Sequence, residues 1–444
     1  MRVVLVVDVF PKVSTTFIAA KFVGLIDRGI DAHIVCWTSD PDMWDRIATL
    51  AERPELKDRI HLVASPVKPW TVFGPARHAG RDKHTPGAFE SVRGALKSVR
   101  QALKSVRQAS IGGCGFEAWL DVLKPDLVHF EFGARAARYL TAGSSFRWPV
   151  VVSFRGYDLN CIGLDRPDYY AGVWAQADAL HLLGDDLWQR ALRRGAPPDK
   201  THVLIPPAVD TTYFSPGGLS AAQDGDPAEA AAMAGVVGTA QRPLRILSVG
   251  RLHWKKGTEW ALAAVGLLVE RGVVVDYRIV GDGAEADSAI ACIRDLKLEA
   301  SVTMLGSRRR HEVRDELARA DVFLHAAVSE GFCNSVMEAQ SMQVPVVCTD
   351  ADGLGENVAD GVTGYVVSRR DPVAMADGLE LLAGDGALRG RMGAAGRERV
   401  AGRFRPADQI DAFAALYSAV TSHAAATSTA TASSSGEAPS PTSG

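Results

Sequence analysis

A doubly wound α/β chain with two parallel sheets is what this sequence predicts. Apolar, β-branched runs alternate with helical patterns from the first residues onward. The alternation starts afresh after a Gly-, Ala- and Asp-rich stretch without sustained period at 217–243. At 444 residues the chain is too long for one ordinary core, so two domains with a tail are expected. The expected boundaries are 1–216 for the first domain and 217–243 for a linker and variable loop. A second domain follows at 244–404, then a last helix at 405–420 and a disordered tail at 421–444.

Taken in order, Arg2 to Asp8 is too short and too soon interrupted by an acid for a signal peptide. It reads as a buried strand, 3–9. A helix at 17–27 is closed by Gly29. Further strands are expected at 32–37, 127–130, 150–154, 179–183 and 202–205. The second half repeats the theme at 245–249, 275–280, 302–305, 322–325, 346–349 and 364–367. In the last helix Phe413, Leu416 and Tyr417 share an apolar face; from Thr421 onward Ser, Thr, Ala and Pro cannot bury a core.

Composition narrows the function classes. A chain 47% apolar and 23% charged is an ordinary globular one, and a net charge of −3 gives no reason to expect nucleic acid as partner. The absence of any apolar run of about 18 residues leaves nothing to span a membrane. Six cysteines without a C-x-x-C pair read as reduced thiols, which suits a cytoplasmic place. One repeat stands out: Ala-Leu-Lys-Ser-Val-Arg-Gln at 95–101 recurs at 102–108. Leu96, Val99, Leu103 and Val106 form a stripe flanked by Arg93, Lys97, Arg100, Lys104 and Arg107. Such a helix at 93–108 either docks on the first sheet or makes peripheral contact with an anionic inner-membrane face.

The segment Ser329-Glu330-Gly331-Phe332-Cys333-Asn334, leading to Glu338, carries the most chemistry. It follows an apolar run and opens a helix, whose start offers unpaired N–H groups and partial positive charge to a phosphate. Two such acids alone ordinarily mean a solvated helix edge. A second signal lies upstream, where 244–249 read as a buried strand closed by Gly250. Arg251 and Lys256 follow before Gly257, and Thr258 is placed to cap the next helix. Two cations at the carboxyl end of a parallel strand can neutralise a diphosphate.

At these residues the chain resembles the retaining family-four glycosyltransferases, which have the GT-B fold. That fold has two Rossmann-like doubly wound domains facing across a cleft. Gly250-Arg251 to Lys256-Gly257, Glu330-Gly331-Phe332 to Glu338-Ala339 and Pro345-Val346-Val347 to Gly361–Gly364 carry the resemblance. Phe10-Pro11 through Ser14 to Thr16-Phe17-Ile18 is similar to the start of polysaccharide-building members. The resemblance implies transfer of a sugar, with retention, from a UDP- or GDP-linked donor to a saccharide, lipid-linked or metabolite acceptor. Glu330 would hold hydroxyls of the donor sugar and Glu338 the ribose diol. Arg251, Lys256 and the Gly331–Asn334 amides would stabilise the leaving phosphate, Cys333 through its backbone N–H. Leu305-Gly306-Ser307 falls where relatives read the base, and 405–420 would cross back to the first domain.

No metal and no cofactor are expected. Asp224-Gly225-Asp226 lies in the linker, Asp350-Ala351-Asp352 fits a family loop, and Gly281-Asp282-Gly283 lacks the third glycine of a dinucleotide fingerprint. The first domain departs from the family. Arg155 stands where relatives carry a histidine, and arginine is no base near neutral pH. It is assigned to a sugar hydroxyl, a carboxylate or phosphate, with an ion pair to Asp158 as the structural alternative. Glu131 also replaces a histidine and either orients Arg155 or serves the acceptor; Thr15 replaces an acid. Two rivals to a retaining, metal-independent glycosyltransferase remain: a non-catalytic nucleotide-sugar-binding subunit, and a GT-B-like isomerase or phosphorylase.

Overall fold

The computed structural model describes residues 1–12, 15–63, 115–216 and 236–434, with side chains to 426. The basic repeat at 93–108 and residues 217–235 of the expected linker lie outside them, as do Val13 and Ser14. Among the described residues thirteen strands are present: β1 Arg2–Val9, β2 Asp31–Thr38, β3 Ile60–Leu62, β4 Leu127–Phe130, β5 Val150–Phe154, β6 Ala179–Leu182, β7 His202–Leu204, β8 Leu244–Val249, β9 Val275–Val280, β10 Val302–Gly306, β11 Val322–His325, β12 Val346–Thr349 and β13 Gly364–Val367. They form a seven-stranded sheet, β3-β2-β1-β4-β5-β6-β7, and a six-stranded one, β10-β9-β8-β11-β12-β13.

Both orders reverse once, at β1/β4 in the first sheet and β8/β11 in the second, and the pairing at both places is parallel. A doubly wound sheet opens a crevice at the carboxyl ends of the strands where its order reverses. The residues after β8 and β11 are therefore the ones to inspect for a ligand.

The described chain falls into two compact units: Met1–Glu131 with Phe146–Val151 and Val420–Gly444, and Phe132–Ser145 with Val152–Ala419. In the first, β1 is fully buried from Val3 to Val6 and is flanked by β2 and β4. Helix Thr16–Asp27 buries Ile18, Phe22 and Leu25, and Gly29 ends it with a φ of +77°. In the second, helix Thr258–Glu270 presents Leu262, Val265 and Leu268 to Ile246 and Leu324 in one core. Each such side chain contributes roughly 1.5–3 kcal/mol of burial, enough for the core to hold the loops at the strand ends.

The tail departs from expectation. Helix Pro406–Ser434 continues well past Thr421, where disorder was expected. Phe413 meets the His181 ring on β6 edge-on at 4.8 Å, and Gln409 Nε2 donates to the Pro206 carbonyl at 2.6 Å. A helix nucleated by that packing extends cheaply through Ala424-Ala425-Ala426, alanine being the best helix former. Among the described residues no helix is long and apolar enough to cross a membrane.

Candidate functional site

The site starts at the end of β8. Gly250 and exposed Arg251 lead into a short 3₁₀ turn, Trp254–Lys256, which is followed by Gly257. Gly257, not Thr258, is the N-cap of the next helix, at φ +62°. A Cβ there would also meet the Ala326 carbonyl oxygen at 2.1 Å, so glycine lets this loop lie directly on the chain leaving β11. Val328 N donates to the Lys255 carbonyl at 2.8 Å and fastens the two segments.

Across that seam Lys256 Nζ pairs with Glu330 Oε2. Their side chains are 17% and 10% exposed, so the pair is largely desolvated but not sealed. Burial is the largest influence and opposes both charges, but Glu330 with Cys333 raises the lysine pKa, and Lys256 with His325 and Lys255 lowers the glutamate pKa. The pair stays ionised, and Glu330 is a pure hydrogen-bond acceptor. Lys255 adds a second positive charge near Glu330 that the sequence reading passed over.

Helix Asn334–Ser341 begins immediately beyond, with Asn334 exposed at its first position. Ser335 Oγ donates to the Val249 carbonyl at 2.9 Å, tying the helix start to the end of β8. Gly250, Arg251, Lys256 and His325 line one small pocket. The expected residues from the β8 and β11 loops are thus neighbours. Gly331 is where residues 155–156 come closest: a Cβ on it would sit 2.7 Å from the Arg155 carbonyl oxygen. Phe332 packs edge-on against Phe404 at 5.6 Å.

Three residues have partners or surroundings that the sequence did not reveal. The Cys333 amide donates to Asn357 Oδ1 at 3.1 Å rather than standing open to a ligand. Its thiol lies 3.4 Å from His325 Nε2 and 3.2 Å from Ser335 Oγ. Burial alone would raise that thiol, but His325 and Lys256 bring it down to about 7, while His325 itself is raised. Glu338 is partly buried, and desolvation raises its carboxyl to about 7 against the pull of Arg310. Glu131 forms an ion pair with Lys21, the two side chains 0% and 2% exposed, so it is built into the protein interior.

Arg155 is half-buried, and its backbone N–H donates to Asp158 Oδ2 at 3.2 Å. Asp158 also accepts from the Ala134 amide at 3.0 Å. Asp352, of the acid pair after β12, accepts from Asn160 Nδ2 and Ser329 Oγ, each at 2.8 Å, and from the Glu330 amide at 3.0 Å. Arg190 and Arg369 pair with it as well. It braces the turn that presents Glu330. His325, Lys255, Asn357 and Asp352 were not assembled from the sequence; the short H-x₄-E-x₂-C spacing is a signal that could have pointed to His325.

Paired carboxylates, cations and a helix start at the reversal point of a doubly wound sheet form an arrangement with the charge and hydrogen-bonding capacity to receive a phosphorylated, hydroxyl-rich ligand. Residues 234–399 match the model of the glycosyl transferases group 1 family. A protein named for colanic acid biosynthesis glycosyltransfer, from Escherichia coli strain K12, is 31% identical over 57% of this chain and 60% of its own length. An amylovoran biosynthesis glycosyltransferase of Erwinia amylovora is 28% identical over 56% and 59%. The chain therefore spans about 60% of the length of these curated relatives.

Among solved structures, a sucrose-phosphate synthase from Thermosynechococcus elongatus superposes with a TM-score of 0.68 at 18% identity, over 95% of this chain and 100% of that one. Anabaena HepE in complex with UDP-glucose gives 0.65 at 14%, over 94% and 100%. These likenesses establish the fold as GT-B.

Proposed function

We propose that this chain is a retaining glycosyltransferase that moves a sugar from a nucleoside-diphosphate donor to a hydroxyl acceptor in polysaccharide assembly. The observation that carries this reading is the Lys256–Glu330 pair beside the start of helix Asn334–Ser341. Arg251 and Lys256 supply positive charge where the diphosphate leaves, so the departure needs no metal. Glu330, held ionised, accepts from hydroxyls of the transferred sugar, and Glu338 from the ribose diol. The relatives named for colanic acid and amylovoran biosynthesis favour a polysaccharide acceptor. HepE holding UDP-glucose favours a UDP-linked donor.

A direct test is slow hydrolysis of nucleotide sugars without acceptor, read as released diphosphate. Wild type should turn over one donor, and Lys256→Ala and Glu338→Ala should lose most of that turnover while keeping their melting temperatures. Equal turnover by all three proteins would end the assignment. Tight donor binding with no turnover across acceptors would favour a binding subunit instead.

A further inference from the structure

The buried group His325, Glu330 and Cys333 has a feature the transfer reaction does not use. Their ligand atoms lie within 4.8 Å of one another. His325 Nε2 is 3.4 Å from Cys333 Sγ and 3.6 Å from Glu330 Oε2. A tetrahedral zinc ion, with Zn–S about 2.3 Å and Zn–N or Zn–O about 2.0–2.1 Å, holds its S and N ligands about 3.5 Å apart and its N and O ligands about 3.3 Å apart. The two spacings from His325 match that shell to within a few tenths of an ångström.

Three further observations favour a chelate. All three ligands come from one stretch, the end of β11, the turn and the helix start, so little chain entropy opposes binding. Asn357 holds the Cys333 backbone, accepting from its amide at 3.1 Å and donating to its carbonyl at 3.3 Å, while Asp352 holds the Glu330 amide. The donor set of thiolate, imidazole and carboxylate selects a soft or borderline dication over magnesium or calcium. A pocket lined by His325 and Lys256 adjoins the group and leaves room for an exchangeable fourth ligand.

The geometry points to a zinc-class metal site on His325, Cys333 and Glu330, occupied in competition with the Lys256 ammonium. The cation on Lys256 and the dication contend for the same Glu330 carboxylate, so occupancy and the Lys256–Glu330 pair exclude each other. If the proposed function holds, the bound metal withdraws Glu330 from the donor sugar and slows transfer; the binding itself does not depend on that reading.

Cobalt(II) added to the full chain in a thiol-free, phosphate-free buffer at pH 7.5 tests this without any donor. One equivalent should give tetrahedral visible bands and a near-ultraviolet thiolate band, and one equivalent of zinc should bleach both. Cys333→Ser should abolish the near-ultraviolet band, and His325→Gln should weaken binding by more than about tenfold. Lys256→Met should tighten it, an effect that a metal held elsewhere on the surface would not show. Absence of the thiolate band in wild type, its survival in Cys333→Ser, or weaker binding by Lys256→Met would each overturn the site. Should Cys333→Ser fail to fold, His325→Gln and Lys256→Met decide the matter.

Discussion

The two sheets solve the same local problem in opposite ways. Each places a lysine after its first central strand and a glutamate after the strand across the order reversal: Lys21 and Glu131 beyond β1 and β4, Lys256 and Glu330 beyond β8 and β11. Lys21 sits inside helix Thr16–Asp27 on its inward face, and its pair is 2% and 0% exposed. Lys256 sits one step earlier in the chain pattern, in the 3₁₀ turn before its helix, and its pair keeps 17% and 10% exposure. A shift from helix to preceding turn converts an interior brace into a pair that a ligand can reach.

The sharpest way to break that comparison is Lys21→Met. It removes the ammonium opposite a buried carboxylate and should cost about 3–5 kcal/mol in urea unfolding, most of it returning in Lys21→Met/Glu131→Leu. A loss below about 1 kcal/mol would mean the first pair is no brace. Lys256→Ala should show the opposite division, with donor turnover down about 10²–10³-fold and a melting temperature close to wild type. A large loss of stability instead would make the two pairs alike. Gly257→Ala tests what sets the second pair's position, since its Cβ would meet the Ala326 carbonyl. It should destabilise by more than about 1 kcal/mol in thermal unfolding and weaken donor binding along with it.

The smallest effect concerns Glu338, whose carboxyl is raised from 4.5 to about 7. The folded protein keeps that proton through a range where the unfolded chain has lost it. Its contribution to stability is therefore full below about pH 4.5 and is lost as pH rises to about 7. Glu338→Gln should then stabilise at pH 8, with the gain vanishing near pH 4. A stability gain independent of pH would show that this carboxyl carries no such burden.

Much of the fold was legible because parallel strands buried on both faces read as continuous apolar runs. Strands β4, β5, β9, β11, β12 and β13 fall where those runs place them. Ile60–Leu62 was not, because three residues with a central histidine at a sheet edge leave no pattern to detect. The extended last helix was missed for another reason: composition speaks to burying a core, not to prolonging a helix already begun. At the candidate site the cations, carboxylates and helix start were readable from order along the chain. The roles of Glu131 and Cys333 were not, since each depends on a partner from another element: Lys21, 110 positions away, and Asn357 with His325.

The loop after β12 has a reach that its position in the chain conceals. Glu356 accepts hydrogen bonds from the Asp185 and Asp186 amides at 3.1 and 3.0 Å, capping helix Asp185–Arg193 from some 170 residues downstream. Those two amides therefore serve as a remote gauge of whether 350–356 is seated, because any opening of that loop uncaps the helix and exposes them to deuterium. Glu356→Ala should speed their exchange while leaving the helix interior protected, and unchanged exchange at both would show that the gauge is not wired to the loop.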